Sequence, residues 1–321
     1  MRPLIMTCGD PSGIGPEIAV RAKKALGASV PFVWLGDPRH LPAGAAWQEV
    51  SEPGAVLALP SDVLGVLRHD FPANAQAGKP DPANAQAIVD VIARAVRLAQ
   101  RGAVAGIVTC PINKAALKSG AGFAFPGHTE YLAELAEVRR VVMMLACDQL
   151  RVVPVTIHIA LAEVAHALTS DMLAETLQIT QAGLQHDFGI ARPRLAVAGL
   201  NPHAGESGTM GREEIDVIIP VLEQLRADGM MLDGPLPADT MFHPAARAQY
   251  DAAICMYHDQ ALIPIKTIDF ANGVNVTLGL PFIRTSPDHG TAYDIAGKGV
   301  ADPSSLIAAL RMAAQMAERR G

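Results

Sequence analysis

Most of the residues able to do chemistry in this 321-residue chain collect in six short loops. They lie at 9–17 (GDPSGIGPE), 109–114 (TCPINK), 127–130 (GHTE), 201–206 (NPHAGE), 257–260 (YHDQ) and 284–291 (RTSPDHGT). Glycine and proline punctuate them, and they follow apolar runs that read as strands. In open parallel sheets, ligands bind beyond the carboxyl ends of the strands, so six such loops suggest one shared cleft. Three of the histidines share a setting. His158, His203 and His258 each stand just after an expected strand, 45 and 55 residues apart. Neutral imidazole suits zinc and other divalent ions. The spacing alone is not a metal motif, and each ring could equally cap a loop or bond to backbone. Asp239 and Asp259 could orient such ligands or complete the coordination; as plain structure they would be helix caps or turn residues. A second group is basic. Lys266, Asn275 and Arg284 recur at nine-residue intervals, and a Lys, an amide and an Arg together would hold a phosphate. A solvated face is the alternative, but the apolar neighbours of Asn275 and Arg284 favour burial, and a buried Arg wants an anion.

The elements that must position these loops alternate. Runs at 4–7, 32–35, 106–109, 141–145, 151–156, 195–199 and 252–256 read as buried strands. Helices are expected at 16–25, 82–100, 161–168, 171–185, 213–228 and 306–319. The clearest spacing is Ile88, Val91, Ile92, Ala95, Val96 and Ala99. That alternation means an α/β protein with a largely parallel sheet. Residues 41–80, rich in Ala, Gly and Pro, show no clear period and read as a variable, surface-lying part of one lobe. Half the residues are apolar and 18% are charged, enough for a large core and against disorder. A formal net charge of −6 argues against a general nucleic-acid binder. No apolar run approaches the roughly 20 residues that span a bilayer. The start of the chain lacks the pattern of a signal peptide, and four scattered cysteines form no CxxC pair. A cytoplasmic protein fits best. The glycine-rich start is neither GxGxxG nor a P-loop, so neither common nucleotide fingerprint is present.

Taken together, the motifs resemble the 4-hydroxythreonine-4-phosphate dehydrogenase family of vitamin B6 biosynthesis across nearly the whole chain. The resemblance rests on GDPSGIGPE at 9–17, PINK at 111–114, FPGHTEYLAE at 125–134, GLNPHAGESGTMGREE at 199–214, GPLPADT at 234–240, MYHDQ at 256–260 and VNVTLGLPFIRTSPDHGTAYDIAGKG at 274–299. It implies a two-lobed fold like that of isocitrate and isopropylmalate dehydrogenases. One lobe would comprise 1–125 plus 275–321, built from both chain ends and carrying the NAD-binding segments. The other, 126–274, would carry the metal ligands and dimer contacts. The resemblance further implies that His158, His203 and His258 hold one divalent ion (Zn, Mg, Mn or Co), contributed from both subunits of a homodimer. His128, Thr129, Lys266, Asn275 and Arg284 would bind a phosphorylated small-molecule substrate. Asp239 and Asp259 would keep the catalytic site in order. Gly13, Gly15, His289, Gly290 and Asp294 would border NAD or NADP, since the loops at 9–17 and 289–299 are similar to segments of the isocitrate enzymes, the second of which borders the adenosine part of the dinucleotide.

The expected reaction is oxidation of 4-phosphooxy-L-threonine at C3 followed by decarboxylation to 3-amino-2-oxopropyl phosphate. The nearest rival is a relative acting on threonate or erythronate 4-phosphate, or on a dihydrodiol carboxylate. A metal hydrolase would use three histidines to activate water but leaves 289–299 without a role. A non-catalytic phospho-metabolite binder leaves the histidines unexplained.

Overall fold

A computed structural model describes residues 2–320. Met1 and Gly321, the outer limits of the first expected lobe, lie outside the described residues. The chain forms two units, one running to Val141 and resuming at Leu280–Arg319, the other comprising Val142–Gly279 with Arg320.

The first unit contributes strands β1 (Leu4–Thr7), β2 (Phe32–Gly36), β3 (Trp47–Glu49), β4 (Leu64–Arg68) and β5 (Ile107–Thr109) before the second unit, and one more strand after it, Arg284–Pro287. That later strand pairs parallel with β5, and the order β3-β4-β2-β1-β5 is parallel throughout. Ile5, Met6, Phe32, Trp34, Leu64 and Ile107 are fully buried. Such continuous apolar runs are what a parallel sheet covered on both faces requires. The helix Ala85–Gln100 lays Ile88, Val91, Ile92 and Val96 onto this sheet. Each such side chain contributes roughly 1.5–3 kcal/mol when removed from water.

The second unit carries β6 (Val142–Cys147), β7 (Leu150–Pro154), β8 (Arg194–Ala198), β9 (Met231–Leu236), β10 (Ala252–Cys255) and β11 (Val274–Leu278) in the order β11-β6-β7-β10-β8-β9. β6 runs antiparallel to both of its neighbours; the other pairs are parallel. Leu145, Val152, Ala196, Ala253, Cys255, Leu262 and Ile265 form its core. The remaining strand, β12, is Arg284–Pro287 of the first unit.

The α/β class and largely parallel pairing agree with the sequence expectation. Residues 41–80 differ from it: they hold β3 and β4, and β4 is buried from Leu64 to Leu67. Gly65 sits in β4 where a Cβ would meet Val56 at 2.4 Å, so a close contact replaces the side-chain alternation that would have marked a strand. Residues 126–141, expected in the central lobe, belong to the first unit, because helix His128–Leu135 packs on helix Ala85–Gln100 and Gln100 donates to the Leu135 carbonyl. Residues 275–279 belong to the second, because β11 pairs with β6 along its length. All four cysteines are buried and free. No helix among the described residues is long and apolar enough to cross a membrane.

One strand-end anchor in the first unit is testable. The buried Asp37 carboxylate, just beyond β2, accepts hydrogen bonds from the backbone N–H groups of Arg39 and Phe71 and from the Arg39 guanidinium. Burial alone would push its pKa up, but these donors override it and hold the carboxyl well below the usual range. A depressed carboxyl stabilises the fold above its unfolded pKa, near 3.9, and that contribution is lost as pH falls through the folded value. Asp37→Ala leaves the Phe71 N–H without its acceptor and is expected to cost on the order of 1–3 kcal/mol. Urea midpoints of the two proteins should differ clearly at pH 7, and the difference should begin to narrow only as pH falls below about 4.

Candidate functional site

In the second unit, two of the three histidines are brought together by backbone. β7 and β10 are parallel neighbours, and their pairing continues past the strand ends. Val155 N–H donates to the Cys255 carbonyl at 2.8 Å, and Thr156 N–H and Oγ1 both donate to the Met256 carbonyl, at 3.2 and 2.7 Å. His158 follows Thr156 by two residues and His258 follows Met256 by two. Equal offsets from a cross-linked pair put the two rings side by side, with centroids 6.0 Å apart. They line a cavity of about 550 Å³ together with Thr156, Ile159, Tyr257 and Asp259. Asp259 lies 2.7 Å from His258 Nδ1. An ionised carboxylate there accepts a hydrogen bond from Nδ1–H and leaves the Nε2 lone pair for a cation.

His203 stands elsewhere. It is exposed at the start of a turn in which His203, Ala204, Gly205, Glu206 and Ser207 all have positive φ. The short turn Ala238–Thr240, which carries Asp239, packs against this loop. His203 does not line the cavity of His158 and His258. Among the described residues no three His, Cys, Asp or Glu side chains are grouped closely enough to hold a metal within one chain. The donor chemistry nonetheless fits a divalent ion at His158 and His258: two imidazoles, one with its tautomer set by a carboxylate, open to a cavity.

The first unit holds a cationic nest. Arg284, the first residue of β12, is buried and donates from its guanidinium to Thr109 Oγ1 at 2.7 Å, at the end of β5. Burial lowers its pKa to about 10, with Glu130 opposing the shift. His128 opens helix His128–Leu135. Its Nε2 is closed off from solvent without a hydrogen-bond partner among the described residues. Burial first, and then the charges of Arg284 and Lys114, push the His128 pKa far down. Lys114 reaches this place from the next loop: its Nζ lies 3.6 Å from where a Cβ on Gly127 would be. Two cations and a neutral imidazole with a buried, unmatched nitrogen have the chemistry to receive an anion. Thr129 is the second residue of the same helix.

Asn275 and Lys266 lie in the second unit. Asn275 sits in β11 with a buried Oδ1 that has no partner among the described residues, and Lys266 lies over the Phe270 ring at 5.5 Å. Gly13 and Gly15 are buried in the first unit. A Cβ on Gly13 would meet the Thr291 carbonyl at 2.7 Å, and one on Gly15 the Cys8 carbonyl at 2.6 Å. Their bareness therefore lets the loop at 9–17 close on its neighbours, with Ile14 N–H donating to Thr291 O and Tyr293 OH to Asp10. His289 and Gly290 share a bond from ring to carbonyl at 2.9 Å, and Asp294 is exposed. Sequence reasoning gave no role to Thr109, Lys114, Asp10 or Tyr293. All four lie in motifs already noted for their loops, but only the fold shows which of their side chains meet.

Comparison with known proteins gives concordant results. The family model described as pyridoxal phosphate biosynthetic protein PdxA matches residues 29–313. A 4-hydroxythreonine-4-phosphate dehydrogenase of Paracoccus denitrificans is 66% identical, over 99% of both chains. The crystal structure of a 4-hydroxythreonine-4-phosphate dehydrogenase from Klebsiella pneumoniae superposes with a TM-score of 0.89 at 36% identity, over 99% of this chain and 100% of that one. A terephthalate 1,2-cis-dihydrodiol dehydrogenase structure from Burkholderia xenovorans reaches 0.69 at 30% identity, over 98% of each chain.

The nest makes a measurable claim about charge. The His128 ring should remain neutral well below the ordinary histidine pKa of about 6.5. Arg284→Met should raise its pKa only part of the way, since burial remains the larger cause. Ring resonances followed by NMR through an acid titration measure both values. An identical His128 titration in the variant would show that the Arg284 charge does not reach the ring.

Proposed function

Because the chain belongs to the PdxA family of pyridoxal phosphate biosynthetic proteins, we propose that it is an NAD(P)-dependent 4-hydroxythreonine-4-phosphate dehydrogenase. Its substrate is then 4-phosphooxy-L-threonine, oxidised at C3 to a β-keto acid that loses CO2 to give 3-amino-2-oxopropyl phosphate. The observation that carries the choice of a phosphorylated substrate is the buried Arg284 beside His128 and Lys114. Two cations converge there beside a neutral imidazole whose buried nitrogen has no partner among the described residues, and a phosphate offers acceptors to both cations at once.

The candidate residues divide between the two units. In the first unit, Arg284 and Lys114 bind the phosphate by charge. His128, held neutral, offers its buried nitrogen as a hydrogen-bond partner. Thr129 at the same helix start adds a hydroxyl. In the second unit, His158 and His258 would hold one divalent ion (Zn, Mg, Mn or Co), with Asp259 fixing the His258 tautomer. His203, too far from them in its own chain, would be supplied by the second subunit of a homodimer, and Asp239 would steady its loop. When bound, the ion supplies Lewis acidity to the hydroxyl being oxidised and the dinucleotide accepts the two electrons. Lys266 and Asn275, the other substrate contacts that the family resemblance implies, would bind through an ammonium and an amide. Gly13, Gly15, His289, Gly290 and Asp294 would border the dinucleotide. The Burkholderia xenovorans relative favours a second reading, a dihydrodiol carboxylate substrate. Such a compound has no phosphate for the Arg284 nest.

The test is the appearance of reduced cofactor when the protein, NAD and a divalent ion meet 4-phosphooxy-L-threonine. Arg284→Met should raise KM on the order of 10- to 100-fold, the loss of one charge-assisted hydrogen bond of ~1.5–3 kcal/mol. It should leave turnover of a non-phosphorylated analogue little changed. Faster turnover of a dihydrodiol carboxylate than of the phosphate ester would favour the second reading. No metal-dependent turnover of any of these compounds would sink both.

A further inference from the structure

We propose that Glu214 is a positioning residue for His203, acting through a left-handed turn that it clamps. This rests on the reading of His203 as a metal ligand. From His203 to Ser207 the φ angles are 54°, 52°, 77°, 43° and 58°. Only one of these five residues is glycine, and left-handed backbone is unfavourable for every residue that carries a Cβ. A run of this kind persists only where its surroundings dictate it. The surroundings are two adjacent carboxylates. Glu214 Oε1 accepts the Asn201 backbone N–H at 2.8 Å, and Glu214 Oε2 accepts the Asn201 side-chain amide at 2.9 Å. The same amide donates to Glu213 Oε2 at 2.7 Å.

Successive residues of an α-helix point about 100° apart, so neighbours rarely share a target. Here Glu214–Ile218 forms a π-helical turn, a rare irregularity often found at functional sites. Both carboxylates reach the one asparagine. Room for Glu214, which is only 1% exposed, comes from missing side chains. A Cβ on Gly205 would lie 2.5 Å from Glu214 Oε2, and one on Gly199 would lie 3.0 Å from Oε1. The clamp also connects to the other histidine loop. Gln260 donates from Nε2 to the Gly199 carbonyl at 2.8 Å and accepts from the Met256 N–H at 2.6 Å. The backbone from Asn201 back to Gly199 thus joins the Glu214 clamp to hydrogen bonds that end at Met256, two residues before His258. It touches neither substrate nor ion; its task is to set where His203 points.

The experiment uses the full-length protein and three variants. Glu214→Gln keeps size but sets an amide nitrogen against the Asn201 amide. His203→Ala removes the ring, and Glu214→Gln with Ala204→Gly eases the left-handed backbone. Hydrogen–deuterium exchange of the metal-free protein and Co(II) affinity are both measured. Glu214→Gln should speed exchange across 200–208 at least tenfold, leaving helix Ser170–His186 unchanged. It should weaken Co(II) binding by about 10- to 100-fold, the usual effect of removing a support behind a ligand. The added Ala204→Gly should recover part of that loss. Wild-type exchange and affinity in Glu214→Gln, with weakened binding in His203→Ala, would overturn the positioning role and leave the ligand reading standing. Wild-type Co(II) affinity in His203→Ala would remove the ligand reading and the proposal with it, whatever the exchange shows. If Glu214→Gln does not fold, Asn201→Ala takes its place, and an unchanged 200–208 exchange pattern there overturns the clamp.

Discussion

The continuation of the β7–β10 pairing beyond the strand ends is the constraint on which the second unit's site depends. Parallel strands alone would leave the two following loops free to diverge. The bonds from Val155 and Thr156 to Cys255 and Met256 keep them in step for two residues more. Histidines placed at equal distances beyond that point must meet. The core beneath is small and tightly filled, with Ala253, Cys255, Ala196 and Val152 leaving little room for the strands to slip. A one-residue shift in register would turn each strand's side chains to the opposite face. Geometry at the cavity is thus fixed by the sheet rather than by the loops.

The first unit solves a different problem. Burying a guanidinium is unfavourable unless it is hydrogen-bonded and matched in charge. Arg284 donates to Thr109 because β12 and β5 are parallel neighbours, and Glu130 supplies the opposite charge nearby. A neutral His128 beside two cations avoids adding a third positive charge. It also keeps one buried nitrogen in need of a partner. Hydrogen bonds and charges in such a buried place act more strongly than the same groups would in water.

Much of this was legible in the sequence, and the limits have physical causes. Apolar runs marked β1, β2, β5, β6, β7, β8 and β10, and helical spacing marked Ala85–Gln100, because those periods are local properties. Motifs located the loops. What no period encodes is which loops meet. Sequence grouped His203 with His158 and His258 as equals, whereas the fold pairs only the latter two, through hydrogen bonds between residues 100 apart in the chain. β4 was hidden because Gly65 interrupts its apolar pattern for the sake of a contact with Val56. The helix His258–Ile268 was hidden by Pro264 in its interior. Gly13 and Gly15 read as cofactor glycines, and the structure adds a packing reason for them that is independent of any ligand.

Backbone strain supplies a last, independent argument. Seven non-glycine residues have positive φ among the described residues, and His158 and His203 are two of them. Each such residue costs on the order of 1–3 kcal/mol, so glycine would be the easier choice at either place. Glycine has no ring. A chain that keeps an imidazole where backbone energetics favour a bare residue gains something from the ring that outweighs the strain. Both rings are exposed, so that gain is not core packing. At His158 the gain lies in the pair it makes with His258 and in the cavity the two rings line together.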